Sequence, residues 1–494
     1  MKFSSAAIYA SVILNLASAQ PIILGKKDAK SSADLWRDQS IYQIVTDRFA
    51  RTDGSTSASC DVSKREYCGG SFQGIIDKLD YIQGMGFTAI WISPVVEQIP
   101  DKTEYGYGYH GYWMKNIYTI NDNFGTADEL KKLSEELHDR GMKLMVDIVT
   151  NHYGAAGDGP SIDYSVYTPF NEQKYFHDYC LITDYENQAL VEECWETSTL
   201  PDLKTEDNEV LSVFESWVKD FISNYTIDGL RVDSAKHMDT SFYQPFTEAA
   251  GVFLLGEVFE GDSAYTCPYQ DYIAGVSNYP LYYPVLRFFQ NSKTTSGELL
   301  EMIDNIKLKC NDVTLLGNFV ENHDIIRLGS TVKDKALIKN AIAFTILGDG
   351  IPIIYYGQEQ GLLGAEDPEN REALWLAGYD TDSAYYKFIS KLNQARNQAA
   401  NKDNSYPSTV SSIIYSDDHT IATKKANLVA IFTNVGASAS PSVTLSQSGF
   451  QKGDQVVDLL TCSSTTVGDS GLEVTMALGV PKVYASSSVA SGIC

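Results

Sequence analysis

Outside its first nineteen positions the chain has no apolar run approaching the ~20 residues that cross a bilayer, so nothing later in it reads as a membrane anchor. It has no CxxC pair and no cluster among its seven histidines, which removes the usual zinc-binding arrangements. Positive charge is also short: 38 Lys and Arg face 64 Asp and Glu, a formal net charge of −26. Nucleic acid and anionic membranes are polyanions and poor partners for such a surface. A neutral polymer is not repelled. Acidity alone otherwise says no more than solubility. Aromatics are plentiful, with 31 Tyr, 20 Phe and 6 Trp. Most serve a core, and the excess of Tyr suits a surface that stacks on flat, weakly polar rings.

Residues 1–19 have the form of an export signal: Lys2, an apolar run from Ala6 to Leu16, and a small-residue cleavage site at Ala17-Ser18-Ala19. Residues 20–33 form an N-terminal segment open to further processing at Lys26-Lys27. An exported, extracellular chain meets oxidising conditions, so the eight cysteines read as disulfides. They fall as Cys60/Cys68, Cys180/Cys194, Cys267/Cys310 and Cys462/Cys494, and neighbour pairing is the simplest of the connectivities open to them. Asn224-Tyr225-Thr226 is a glycosylation sequon.

Short apolar runs recur at Ile41–Val45, Thr88–Ile92, Lys143–Val149, Gly229–Val232, Val252–Leu255, Leu315–Val320 and Ile351–Tyr356. Amphipathic stretches of helical length lie between most of them, such as Ala127–Arg140, Val210–Asn224 and Lys335–Leu347. Continuous apolar strands alternating with helices imply parallel strands buried on both faces. A weak eighth strand falls near Gly275–Tyr279. An eight-stranded (β/α)8 TIM barrel fits best, with an open doubly wound sheet as the alternative.

The stretch from Asp147 to Asp233 is far longer than the ~30 residues of one strand-loop-helix unit. The surplus reads as an irregular domain inserted after the third strand, over 151–206, which splits the barrel into 34–150 and 207–405. Beyond it, residues 406–494 carry alternating, β-branched segments such as Ser411–Tyr415, Thr420–Thr423 and Leu428–Phe432. They read as a C-terminal antiparallel β-sandwich.

Reacting groups of such barrels sit where strands end. Asp147 follows the third strand, Asp233 the fourth, Glu257 the fifth and Asp324 the seventh. One acid at a strand end is as often a helix cap. Four in succession point to one mouth. Paired carboxyls, one ionised and one protonated, are what cleavage of a glycosidic bond needs. Their spacing in the chain does not say whether the outcome is retention or inversion.

Four segments make the reading specific: Asp147–His152, Gly229–His237, Gly256–Val258 and Phe319–Asp324. They resemble the signature segments of the α-amylase family, in that family's order. The likeness runs from about Trp36 to the C-terminus and is nearest to extracellular enzymes of fungi and yeasts. The resemblance implies a retaining double displacement, with Asp233 as nucleophile, Glu257 as general acid/base and Asp324 stabilising the transition state. Arg231 is implied as the cation that holds the nucleophile ionised, and it is grouped with the substrate-binding residues. His110, Tyr112, Trp113, His152 and His323 are implied around the sugar at the cleavage point. Lys236, His237 and Gly261 fall on the leaving-group side, and Asp367 and Arg371 on the far side. Calcium is the implied cofactor, held by Asn151, Glu192, Asp202 and the main-chain oxygen of His237. After Asp324 the chain departs from its relatives at Ile325-Ile326-Arg327, which is expected to alter the shape of the cleft.

The expected activity is endohydrolysis of α-1,4-glucosidic bonds in starch, glycogen and malto-oligosaccharides by a secreted monomer. Neither nucleic acid nor membrane is expected as partner. A transglycosylase, or an exo- or α-1,6-acting glucosidase of the same family, is the alternative. Lys236-His237 favours polymer-active members, and the chain is shorter than multi-domain cyclodextrin-forming relatives. A scaffold protein that has kept only the barrel is disfavoured because all three catalytic acids are present.

Overall fold

The computed structural model describes residues 32–157 and 159–494. The signal-peptide reading and the Lys26-Lys27 pair lie outside the described residues. No helix among the described residues is long and apolar enough to cross a membrane.

Eight parallel strands form the central sheet: β1 Ile41–Ile44, β2 Ala89–Ile92, β3 Lys143–Ile148, β4 Gly229–Val232, β5 Phe253–Gly256, β6 Gly275–Val276, β7 Gly317–Asn318 and β8 Ile351–Tyr355. Their order is β6-β5-β4-β3-β2-β1-β8-β7. A parallel bridge between Ser277 and Gly317 joins the two ends, so the sheet closes as a TIM barrel and the open doubly wound alternative is excluded. The seam is thin. β6 and β7 have two residues each, and the Asn278 side chain adds a hydrogen bond to Asn318 Oδ1 at 2.8 Å. β7 is shorter than its apolar run because Val313–Leu315 turns as a 3-10 helix, capped by Asp312.

Strand side chains alternate between two cores. Ile41, Ala89, Met145, Phe253, Leu255, Ile351 and Ile353 point into the barrel, while Tyr42, Ile90, Leu144, Val146, Leu230, Leu254 and Ile354 point out to the helices. Trp36 plugs the bottom of the barrel, stacking on Phe253 and donating its indole N–H to the Asp228 carbonyl. A Cβ on Gly229 would lie 2.6 Å from that indole, so only glycine admits the plug.

The helices follow from their patterns. Ala127–Asp139 opens on a capping box between Thr126 and Glu129 and buries Leu130, Leu133 and Leu137 at helical spacing. Asn208–Tyr225 starts at the Asp207 cap and buries Val210, Phe214, Trp217, Val218 and Phe221.

Residues 151–206 contain little regular structure, chiefly short 3-10 turns and the helix Gln188–Glu193. The Cys180–Cys194 disulfide ties that helix to the preceding loop. The other three disulfides join Cys60–Cys68, Cys267–Cys310 and Cys462–Cys494, which is neighbour pairing throughout.

The C-terminal region is a six-stranded antiparallel sheet packed against a two-stranded ribbon, Ser442–Leu445 with Leu472–Thr475. Within Leu428–Thr433, Leu428, Ala430 and Phe432 join the main core, while Val429 and Ile431 pack under the ribbon. One strand thus serves two interfaces.

Candidate active site

The period of two that builds the barrel also assembles the site. Asp147, Arg231 and Glu257 share the inward register of their strands, and Asp233 lies two residues beyond Arg231 on the same face. Asp147 pairs in register with Arg231, and Arg231 with Leu255. The ladder runs one residue past β4 and β5: Asp233 N–H donates to Ile148 O and Glu257 N–H to Val232 O, each at 2.9 Å. Both acids therefore stand on pinned backbone.

Arg231 lies at the centre, 1% exposed. Its Nη1 is 3.0 Å from Asp147 Oδ1 and 2.6 Å from Asp233 Oδ1, and its Nη2 is 2.7 Å from Glu257 Oε1. It forms the floor beneath the cleft, under the residues that line it. The placement of Asp147 is corrected. It sits inside β3 and not on a loop, with Trp91 Nε1 and Tyr112 Oη donating to its Oδ2 at 3.1 and 2.7 Å. Burial pushes its carboxyl up to about 7, against the pull of Arg231.

Glu257 is pushed up to about 8, chiefly by burial; Arg231 opposes this, and the charges of Asp233 and Asp324 add to it. Its Oε1 accepts from Arg231 and, at 3.3 Å, from Tyr279 Oη, which Asn322 Nδ2 supports at 3.1 Å. A Cβ on Gly256, just before it, would lie 2.1 Å from Ile273, so the strand ends on glycine where it passes that side chain.

Asp324 reaches the same opening from the loop after β7, more exposed than the other two acids. His323 Nε2 is 3.0 Å from its Oδ2 and Arg371 Nη2 is 3.2 Å from its Oδ1. Gln43 Nε2 donates to His323 Nδ1 at 2.9 Å, so the ring proton sits on Nε2 and points at Asp324. Burial keeps His323 well below the usual imidazole range, with Arg371 and Arg231 acting the same way. The loop rests on Arg327, buried between Glu321 at 3.3 Å and Glu372 at 2.7 Å. Ile325 packs beside Phe319 in the barrel core, and neither it nor Ile326 lines the cleft.

The three acids open onto a cleft with two lobes. The larger, about 410 Å³, is lined by His110, Tyr112, Trp113, His152, Asp233, Glu257, His323, Asp324, Asp367 and Arg371. The smaller, about 310 Å³, holds Lys236, His237 and Gly261. The Tyr112 ring lies parallel to His323, with centroids 5.2 Å apart. Asp367 pairs with Arg371 at 3.1 Å and with Arg65.

Several lining residues went unnoticed in the sequence: Glu196, Phe259, Tyr283, Arg65 and Tyr105. Glu196 hydrogen-bonds Ser234 Oγ at 2.7 Å. None of these five closes an apolar strand, so no periodicity marks them. Their place is set by loops folding back over the barrel.

Among the residues expected at a metal, Asn151 Nδ2 donates to Asp202 Oδ1 at 2.9 Å, while Asn151 Oδ1 is buried with no hydrogen-bond partner. Burial pushes Asp202 up to about 8 despite His177 beside it. Gln188 bridges Glu192 to the Lys236 carbonyl at 2.7 and 3.1 Å, which brings Glu192 to the turn that carries His237. Among the described residues no group of three or more His, Cys, Asp and Glu gathers as a metal site. The expected set differs in kind, being two carboxylates, an amide oxygen and a main-chain oxygen, and its orphaned amide oxygen suits a hard cation. Asn224 is exposed in the last turn of its helix.

Comparison with known proteins places this geometry. The family described as "Alpha amylase, catalytic domain" matches residues 43–420, and "Alpha-amylase, domain C" matches 413–494. Alpha-amylase 1 of Schwanniomyces occidentalis is 62% identical over 510 residues, and the alpha-amylase of Saccharomycopsis fibuligera 62% over 497, each covering 100% of both chains. A solved alpha-amylase from Malbranchea cinnamomea superposes with a TM-score of 0.92 at 49% identity, covering 93% of this chain and 99% of that one. A cyclomaltodextrin glucanotransferase with a three-domain ABC distribution shares the fold at 24% identity and a TM-score of 0.78, covering 90% of this chain and 98% of its own. Signature segments, barrel, converging acids and relatives agree: the chain belongs to the α-amylase family of glycoside hydrolases.

Proposed function

We propose that the protein is a secreted, endo-acting α-amylase that cleaves α-1,4 bonds of starch, glycogen and malto-oligosaccharides with retention of configuration. The observation that carries this reading is the convergence of Asp233, Glu257 and Asp324 on one cleft.

Asp233 is the nucleophile. Arg231 occupies its Oδ1. Its Oδ2 lies 3.1 Å from Ser234 Oγ, but that hydroxyl gives its single proton to Glu196 at 2.7 Å, so Oδ2 is left free to attack the anomeric carbon. Glu257 is the general acid. Arg231 and Tyr279 both donate to its Oε1, while Oε2 accepts only the Ser234 N–H at 3.3 Å, so Oε2 carries the proton that passes to the glycosidic oxygen as the bond breaks. The leaving sugar departs and a covalent glycosyl-Asp233 remains. Glu257, now an anion, takes a proton from water, which attacks the same carbon and releases Asp233. Asp324, held by His323 and Arg371, orients hydroxyls of the distorted sugar and stabilises the positive charge that develops in the ring.

The larger lobe takes the sugar on the non-reducing side through His110, Tyr112, Trp113, His152 and His323, with Asp367 and Arg371 beyond. The smaller lobe takes the leaving group through Lys236, His237 and Gly261. Asn151, Glu192, Asp202 and the His237 carbonyl would hold Ca2+, which when bound supplies positive charge between the 151–206 insertion and the barrel. The partner-free Asn151 Oδ1 supports this assignment. The exposed Asn224 is proposed to carry a glycan. We infer that the chain is exported as a monomer, with domain limits at 34–150, 151–206, 207–405 and 406–494.

A time course on soluble starch tests the reading. Rapid loss of iodine colour with mixed oligosaccharides of α configuration is expected. Release of glucose alone, or of cyclic products, overturns endo-hydrolysis.

A further inference from the structure

The two lobes of the cleft share a wall of Glu196, Ser234, Glu257 and Phe259. Glu196 is a fourth carboxylate beside the reaction centre that neither attacks carbon nor moves a proton in the double displacement; it touches that chemistry only through Ser234. Its side chain is 25% exposed, on the cleft side. Oε1 accepts the Ser234 hydroxyl at 2.7 Å, which leaves most of the lone-pair sites of the carboxylate unused.

Two histidines face it just beyond hydrogen-bonding reach. His152 Nδ1 is 3.7 Å from Oε1 and His237 Nε2 is 3.8 Å from Oε2. The other nitrogen of each ring lies against a main-chain carbonyl: His152 Nε2 against Tyr112 O and His237 Nδ1 against Val191 O, both at 3.2 Å. A carbonyl can only accept, so those nitrogens are the donors. The nitrogens turned towards Glu196 make no hydrogen bond to it, and His152 Nδ1 is buried with no partner at all. Glu196 thus keeps open acceptor sites at the junction of the lobes, beside a Glu257 whose proton serves the glycosidic oxygen. A ligand that fits it brings hydroxyl hydrogens, and neighbouring hydroxyls on one sugar ring bring two.

We propose that Glu196 is a specificity-determining residue that accepts a hydroxyl hydrogen bond from the sugar on the leaving-group side. The enzyme then recognises a sugar, and not merely a good leaving group, across the scissile bond. This rests on the assignment of the smaller lobe to the leaving group.

The test compares two substrates in Glu196→Ala and Glu196→Gln. Maltopentaose places a sugar on each side of the cleavage point. 2-Chloro-4-nitrophenyl α-maltotrioside places an aryl group without hydroxyls on the leaving side. Glu196→Ala should lower kcat/KM on maltopentaose by about tenfold to a hundredfold, the range for a hydrogen bond to a charged group. The aryl substrate, which senses only the Ser234 contact beside Asp233, should lose at least about tenfold less than maltopentaose, and its retained cleavage also reports a folded enzyme. Glu196→Gln, whose amide oxygen still accepts, should fall between wild type and Glu196→Ala, and it decides the matter if the alanine variant does not fold. Equal losses on both substrates would place the role in the Ser234 contact and overturn the proposal. So would no loss on either. Absence of starch hydrolysis by the unaltered enzyme would instead remove the functional reading beneath it.

Discussion

Asp233 and Glu257 are held to opposite arms of one guanidinium, at 2.6 Å from Nη1 and 2.7 Å from Nη2 of Arg231. A flexible ammonium at that position reaches one of them at a time. The separation of the two acids is therefore set by a rigid planar group under the floor of the cleft.

Replacing that group tests the relationship. Arg231→Met leaves Asp147, Asp233 and Glu257 facing one another without a cation and should cost about 3–5 kcal/mol of stability, the range for a buried ion pair that loses one partner. Arg231→Lys keeps a charge and should recover much of that stability while kcat stays lowered by more than about tenfold, since positioning and not charge alone is lost. Denaturant unfolding and kcat on one oligosaccharide measure the two effects separately.

Glu257 sets a pH limit. The proposed general acid works in its protonated form, and its carboxyl is raised to about 8 from an ordinary 4.5. Activity is accordingly retained through neutral pH and lost as pH rises through about 8. Glu257→Gln should lower kcat on starch by about 10²–10⁴, the share general acid catalysis supplies, and its residual rate should lack the alkaline limb. The same shift bears on stability. The folded form holds a proton that the unfolded chain releases above 4.5, so this contribution is full below 4.5 and lost as pH rises through about 8. Melting temperature against pH should fall less steeply in Glu257→Gln than in the parent.

Removal of calcium provides the third test. A chelator should lower the melting temperature, and excess calcium should restore it. A ligand at a hundred times its Kd adds about 2.7 kcal/mol to the folded state. Asn151→Ala, which removes the orphaned amide oxygen, should melt at one temperature with or without chelator. A variant that still responded fully would exclude Asn151 as a ligand.

Sequence made the strands legible because each is a continuous apolar run, and it made Asp233 and Glu257 legible because they end two of those runs. Gly229–Val232 is found with the same limits in the structure. The seventh strand is shorter than its apolar run, since Leu315 belongs to a capped 3-10 turn and not to the ladder. The role of Asp147 was misplaced because a charged residue inside a buried strand looks like an end until its donors, Trp91, Tyr112 and Arg231, are seen around it. Glu196 was invisible for a different reason. It lies in the irregular insertion, where no period of two or 3.6 fixes a direction, and it meets Ser234 only because the insertion folds back across the barrel mouth.

The join between β6 and β7 separates the strand side that presents Glu257 from the strand side that leads to Asp324. Elsewhere around the circle neighbouring strands are laced by longer ladders, but here a lone bridge and a pair of asparagine amides do the fastening. The barrel is in effect a split collar whose clasp lies between Glu257 and Asp324. The mutual placement of those two acids across the join therefore depends on one bridge and two amides.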